Sequence, residues 1–195
     1  MEERNLIEAE PALSPESSIE ALLFSSNRPV ITGVLKKLTG LNEAGIKLAI
    51  ESLNCLYRET GRVFEIANVA NGYQMRTKKE YAPIIHKSES IKIRKFTRAA
   101  LETLSIIAFK QPITRPEIEQ IRSVDCGHVV RSLLDKDLIR ISGKNKELPG
   151  RPMLFSTTDT FLEIFGFRNI NDLPNPYELE ISDTELLAQP ETTLL

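Results

Sequence analysis

The 195-residue sequence repeats itself, and the repeat sets its architecture. Ile19-Glu20-Ala21-Leu22-Leu23-Phe24 is echoed 82 positions downstream by Leu101-Glu102-Thr103-Leu104-Ser105-Ile106. A proline-centred string follows each copy, Arg28-Pro29-Val30-Ile31-Thr32 and then Gln111-Pro112-Ile113-Thr114-Arg115, now 83 apart. Apolar positions keep the register: Leu35 with Ile118, Leu38 with Ile121, Ile46 with Val129, Ile50 with Leu133. A core of roughly 80 to 100 residues is viable without staples, so each copy is long enough to be one small domain.

Local signals give each copy the same order of elements. In the first, Ser14 is placed to cap a helix whose first turn holds Pro15, where a missing N–H costs nothing. Ile19, Leu22 and Leu23 form its inward stripe. A second helix fits Thr32 to Leu38 and stops at Gly40; a third runs from about Glu43 to Glu59, with Ile46, Ile50, Leu53 and Leu56 or Tyr57 on one face and Gly61 ending it. The period then changes. Val63 to Val69 is branched and aromatic, Asn71-Gly72 is a favoured type I′ turn, and Tyr73 to Thr77 returns.

In the second copy a helix from about Thr97 to Phe109 points Leu101, Leu104 and Ala108 inward. Thr114-Arg115-Pro116-Glu117 is a capping box that opens the next helix. Asp125 is placed to cap a third, carrying Val129, Val130, Leu133 and Leu134. Leu138 to Ser142 and Met153 to Phe155 form strands joined by a wing loop, Gly143 to Pro152. Three helices followed by a β-hairpin is the winged-helix order, a variant of the helix-turn-helix. The fold class expected is α+β, mainly α, with two tandem winged-helix domains, at 13–86 and 99–170.

Charge is divided along the chain. Residues 1–20 hold one basic and six acidic groups, residues 172–195 hold six acidic and none basic, and the body between carries 24 basic against 15 acidic, although the net charge is only −2. Residues 1–12 and 171–195 therefore read as acidic tails, the second flexible, and 87–98 as a basic linker that contains Lys92, Arg94 and Lys95. The positive body admits either an acidic partner or DNA.

Catalytic and targeting signals are missing from the sequence. The nine glycines are scattered rather than gathered into a phosphate loop, and two cysteines with two histidines supply no metal spacing. Cys126 and His128 are the nearest thing to a nucleophile and base, yet residues two apart on a helix face different ways. No metal or cofactor is expected. No apolar run approaches the roughly 20 residues of a membrane span, and Met1-Glu2-Glu3-Arg4 does not open a secretory signal, so the chain is expected in the cytoplasm.

A winged helix invites a DNA-binding transcriptional regulator as the alternative reading. The third helices oppose it: Lys47 and Arg58 stand against Glu43, Glu51 and Glu59, and Arg131 and Lys136 against Asp125, Asp135 and Asp137. Net acidic helices repel phosphates. Non-specific phosphate contact remains open for Lys92, Arg94 and Lys95 in the linker and for Lys144 and Lys146 in the second wing.

Several strings in the second copy carry a family resemblance: Lys110-Gln111-Pro112-Ile113-Thr114-Arg115, Glu117-Ile118-Glu119-Gln120-Ile121-Arg122, Pro149-Gly150-Arg151-Pro152, Thr157-Thr158, Phe161-Leu162 and Phe165-Gly166. With Glu20 to Phe24, Thr60-Gly61-Arg62 and Asp172-Leu173-Pro174, they resemble the segregation and condensation protein B family, the accessory subunit of bacterial condensin, from about Ile19 to Pro174. Ser123 stands where that family usually has glycine, which implies a slightly different turn before the third helix, and Lys144 to Leu148 is atypical. The resemblance implies a non-catalytic homodimer, formed through the first winged helix and associated with the nucleoid. Its second winged helix would hold the kleisin subunit, segregation and condensation protein A, and through it the structural-maintenance-of-chromosomes ATPase. Leu101, Leu104, Ile113, Thr114, Arg115, Gly150, Arg151 and Pro152 are the candidate partner-binding residues.

Overall fold

A computed structural model describes residues 13–87 and 96–174. These form two compact units, one of residues 13–67 with Tyr73–Arg76, the other of Asn68–Gly72 with residues 77–87 and 96–174.

The first unit begins with α1 (Pro15–Ser25), where the Ser14 side chain accepts from the Ser17 N–H and Ile19 and Leu23 are buried. A two-residue strand, β1 (Val30–Ile31), leads into α2 (Thr32–Thr39), which Gly40 closes in the left-handed conformation at φ 72°. Glycine suits that position because it has no Cβ to clash with the following carbonyl. Helix α3 (Glu43–Glu59) starts at Asn42, whose side chain accepts from the Gly45 N–H at 2.8 Å, and it buries Ile46, Ala49, Ile50, Leu53 and Tyr57. Strands β2 (Phe64–Val69) and β3 (Gly72–Thr77) complete a sheet of order β1-β3-β2. Asn54 fastens α3 to β2: it donates to the Ile66 carbonyl at 2.9 Å and accepts from the Ile66 N–H at 2.8 Å. Tyr57 donates its hydroxyl to Glu20 at 2.8 Å, and this bond, with burial as the larger cause, pushes the phenol above its ordinary pKa.

The hairpin turn falls one residue earlier than the Asn71-Gly72 dipeptide suggests. Positive φ values lie at Ala70 (48°) and Asn71 (58°), and Gly72 already belongs to β3. The turn amides are held within the second unit, Ala70 N–H by the Phe167 carbonyl at 3.0 Å and Asn71 N–H by the Arg168 carbonyl at 2.8 Å. Those two bonds favour the shifted turn over the one glycine would prefer.

The second unit repeats the plan after a 3-10 turn (Lys79–Tyr81) and the short α4 (Ala82–His86). Helix α5 (Arg98–Lys110), capped by Thr97, precedes β4 (Ile113–Thr114) and α6 (Arg115–Arg122). The lengths of β1 and α2 recur in β4 and α6 at a constant offset of 83. Next come α7 (Gly127–Asp135), β5 (Ile139–Lys144) and β6 (Met153–Thr157), in a sheet of order β4-β6-β5. Ile113 pairs with Phe155 across the sheet, and a bulge interrupts the β5 ladder between Ile141 and Gly143. The core gathers Leu104, Ile107, Ile118, Val130, Leu133, Leu138 and Phe155.

Three features of this unit depart from the sequence expectation. Cys126, not Asp125, is the cap position of α7, because Asp125 sits one residue outside, where it accepts from the Gly127 N–H at 3.0 Å. Ser123 is left-handed at φ 55°, the conformation that Gly40 takes at the equivalent place in the first unit, so the turn before α7 is retained and not altered. An additional helix, α8 (Asp159–Phe165), adds Phe161 and Leu162 to the core, with Phe161 4.8 Å from the Phe165 ring.

Candidate functional site

The structure sorts the candidate partner-binding residues into three groups. Leu104 (2% exposed), Ile113 (4%) and Thr114 (0%) belong to the interior of the second unit, and Leu101 is half-buried. Leu104 and Ile113 pack with Phe155 and its neighbours in one core. Thr114 is committed to the capping box, its N–H and hydroxyl both donating to Glu117, at 2.8 and 2.5 Å. Those bonds hold the Glu117 carboxyl below its ordinary pKa.

Arg115 is exposed but already engaged. Its guanidinium donates to Glu119 at 2.6 Å and to Asp125 at 2.7 Å, joining α6 to the start of α7. It also covers Gly127 so closely that a Cβ there would lie 2.9 Å from the arginine Cζ. The hydrogen bond from Arg115 keeps Glu119 below its ordinary pKa, and Glu119 accepts in turn from the Cys126 N–H at 3.2 Å. Cys126 is buried, and that burial, with the Glu119 charge added, raises its thiol pKa, which removes thiolate and with it nucleophilicity.

The third group shapes the wing. Gly150 and Arg151 both take positive φ, 77° and 46°, and fold the loop so that Arg151 N–H reaches the Leu148 carbonyl at 3.1 Å. Half-buried Pro152 accepts through its carbonyl from Asn145 N–H at 2.9 Å. Lys144 and Lys146 are exposed on the same loop, whereas Lys92, Arg94 and Lys95 lie outside the described residues. Between β4 and α6 an open depression of about 560 Å³ is lined by Lys110, Pro112, Ile113, Glu117, Gln120 and Ile121.

The sequence reading overlooked the apolar surface of the first unit. Phe24 is 79% exposed, Leu48 66%, Leu38 58% and Leu56 51%, with Ile31 and Val34 also at the surface. Val34 and Leu38 lie one turn apart on α2, and Ile31 precedes them at the end of β1. The equivalent positions of the second unit are Thr114, Glu117 and Ile121. The second copy spends two of these positions, Thr114 and Glu117, on a capping box and keeps Ile121 exposed; the first leaves α2 without a side-chain cap and presents apolar groups at all three. Clustered exposed apolar side chains mark contact surfaces in soluble proteins. Their sequence signal is that Phe24 and Leu48 fall off the inward stripes of their helices; of the two residues the spacing offers for the α3 stripe, Tyr57 is buried and Leu56 is exposed.

The family model described as "Segregation and condensation complex subunit ScpB" matches residues 17–176. A segregation and condensation protein B from Syntrophotalea carbinolica is 43% identical over 176 residues, 90% of this chain and 87% of that protein. Another, from Brevibacillus brevis, is 40% identical over 173 residues, 87% of this chain and 89% of that one. Among solved structures, a dimer of the ScpB N-terminal domain complexed with ScpA peptide is 26% identical with a TM-score of 0.34, covering 37% of this chain and 90% of that one. No helix among the described residues is long and apolar enough to cross a membrane.

Proposed function

The chain belongs to the ScpB family of segregation and condensation complex subunits, and from that premise we propose that it works by gripping other polypeptides rather than by catalysis. It dimerises through its first unit and binds a kleisin of the ScpA type. Through that kleisin it associates with the chromosome-bound ATPase complex in the nucleoid and supports condensation and segregation. The observation that carries this reading is family membership along nearly all of the described chain, joined to the exposed apolar groups of α1, α2 and α3. A dimer interface needs about 800 Å² from each partner, with large apolar anchors near its centre. Phe24, Leu38, Leu48 and Leu56 supply exposed apolar surface for such an interface.

For the second unit, the side chains still available to a partner are Leu101, Arg115, Arg151 and Pro152 at the surface and those lining the depression beside β4. Leu104 and Thr114 are buried, and Ile113, though part of the core, also lines the depression. The reading as a sequence-specific regulator is disfavoured by the acidic groups on α3 and α7 and their borders. Sedimentation of the purified chain tests dimerisation: the wild type is expected at the dimer mass, and F24D/L48D at the monomer mass with its helical circular dichroism retained. A monomeric wild type at micromolar concentration contradicts the proposal.

A further inference from the structure

We propose that the wing of the second unit is also a binding surface for the phosphate backbone of double-stranded DNA, overlapping the polypeptide-binding candidates at Gly150, Arg151 and Pro152. Residues 139–157 carry four cations, Arg140, Lys144, Lys146 and Arg151, against one acid, Glu147. All four cations are exposed, and none forms an ion pair with the described residues. Elsewhere in this unit Arg98, Arg115, Arg122 and Arg168 are each matched with a carboxylate. The wing, by contrast, holds four exposed cations that make no ion pair with a described residue.

Its geometry suits a polyanion with two rows of charge. In the β5–β6 ladder Arg140 is opposite Ser156, and Lys144 is opposite Met153, three pairs further along. Side chains alternate between faces at each pair, so Arg140 and Lys144 point to opposite sides of a thin hairpin, and Lys146 stands in the loop at its tip. An acidic peptide docks against one face. A duplex groove bordered by phosphates on both sides accepts cations from both faces and the tip together. The loop is ordered for this purpose before any contact: Asn145 N–H bonds to Pro152, Glu147 N–H to the Asn145 side chain at 3.0 Å, and the Ser156 hydroxyl to that of Ser142 at 3.0 Å. Because α7 is bordered by Asp125, Asp135 and Asp137, base edges are not read, and binding is indifferent to sequence.

The proposal does not depend on kleisin binding, and its test leaves Arg151 untouched because that residue also belongs to the polypeptide-binding candidates. The full-length chain is titrated by fluorescence anisotropy against a 30-base-pair duplex between 50 and 200 mM KCl, beside R140A/K144A/K146A and R140K/K144R/K146R. Each phosphate contact contributes about 0.9 to the slope of log affinity against log salt. Removing three contacts should flatten the slope by about 2.7, so the wild type loses about 40-fold more affinity than the alanine variant across that fourfold salt range. The charge-conserving variant should keep the wild-type slope, which separates charge from misfolding. No wild-type binding at 50 mM, equal slopes for wild type and the alanine variant, or strong preference for one duplex sequence would each overturn the proposal. So would a defect of the alanine variant confined to an acidic kleisin peptide.

Discussion

Replacing Ser123 by glycine should stabilise the second unit. Ser123 holds φ 55° and ψ 21° at the close of α6, where the duplicated position in the first unit is Gly40 at φ 72° and ψ 0°. A left-handed conformation costs an L-residue about 1–2 kcal/mol, since its Cβ approaches the next carbonyl oxygen. Glycine removes that strain but brings about 0.4–1 kcal/mol of additional chain entropy to the unfolded state. The balance runs from about zero to about 1.6 kcal/mol, centred at about 0.8 kcal/mol, or roughly 3–6 °C in the unfolding midpoint of a domain this size. The Ser123 hydroxyl has no hydrogen bond to a described residue that glycine would forfeit. Differential scanning calorimetry of the full chain, with hydrogen exchange of the α6 and α7 amides to assign the transition, measures the shift. G40S is the control and should lose stability in the first unit, by the same conformational argument. A lower midpoint for S123G, or unchanged exchange in α6 and α7, refutes the strain argument.

Other perturbations follow from individual contacts. Asn54→Ala should destabilise the first unit by about 1–3 kcal/mol in urea titration, because both bonds to the Ile66 backbone are lost where water is largely excluded. Arg122→Ala should cost the second unit a similar amount, since this nearly buried guanidinium donates to the buried Thr103 hydroxyl at 3.0 Å and to Glu102 at 3.1 Å. The carboxyls of Glu102, Glu117, Glu119 and Asp172 are all held below their ordinary range by hydrogen-bonded partners, chiefly Arg98, Thr114, Arg115 and Arg168. A depressed folded-state pKa contributes stability above the unfolded value, about 4, and that contribution vanishes as pH falls through the folded value. The melting midpoint should therefore hold from pH 7 to 5 and fall steeply below about pH 4, with E117Q reducing the fall; a midpoint that rises in acid contradicts this.

The sequence was most informative where a signal acts over one or two turns. Gly40, through its N–H to the Lys36 carbonyl, and Thr114, through its bonds to Glu117, mark helix ends locally, so α2 stops and α6 starts close to where those signals place them. Strands β1 and β4 were not legible. Each is two residues long, and β4 exists only because Ile113 meets Phe155, 42 positions away. The slipped hairpin turn has the same origin, its amides being held by Phe167 and Arg168 against local preference. Apolar residues on one helix also divided in ways spacing does not reveal. Leu101 and Leu104 share a face of α5, yet only the second is sealed in, and two exposed apolar groups, Phe24 and Leu48, lie off the stripes that periodicity selects. Helix α8 was overlooked although Thr158 and Gly166 bracket it with a cap and a left-handed stop.

The account depends most on whether this chain grips a kleisin as a dimer. Co-expressing it with the ScpA-type kleisin of the same cell and weighing the purified assembly by native mass spectrometry answers that directly. A fixed-ratio complex holding two copies of this chain and a kleisin is the predicted result. Recovery of the chain alone, as a monomer that ignores the kleisin, would contradict it.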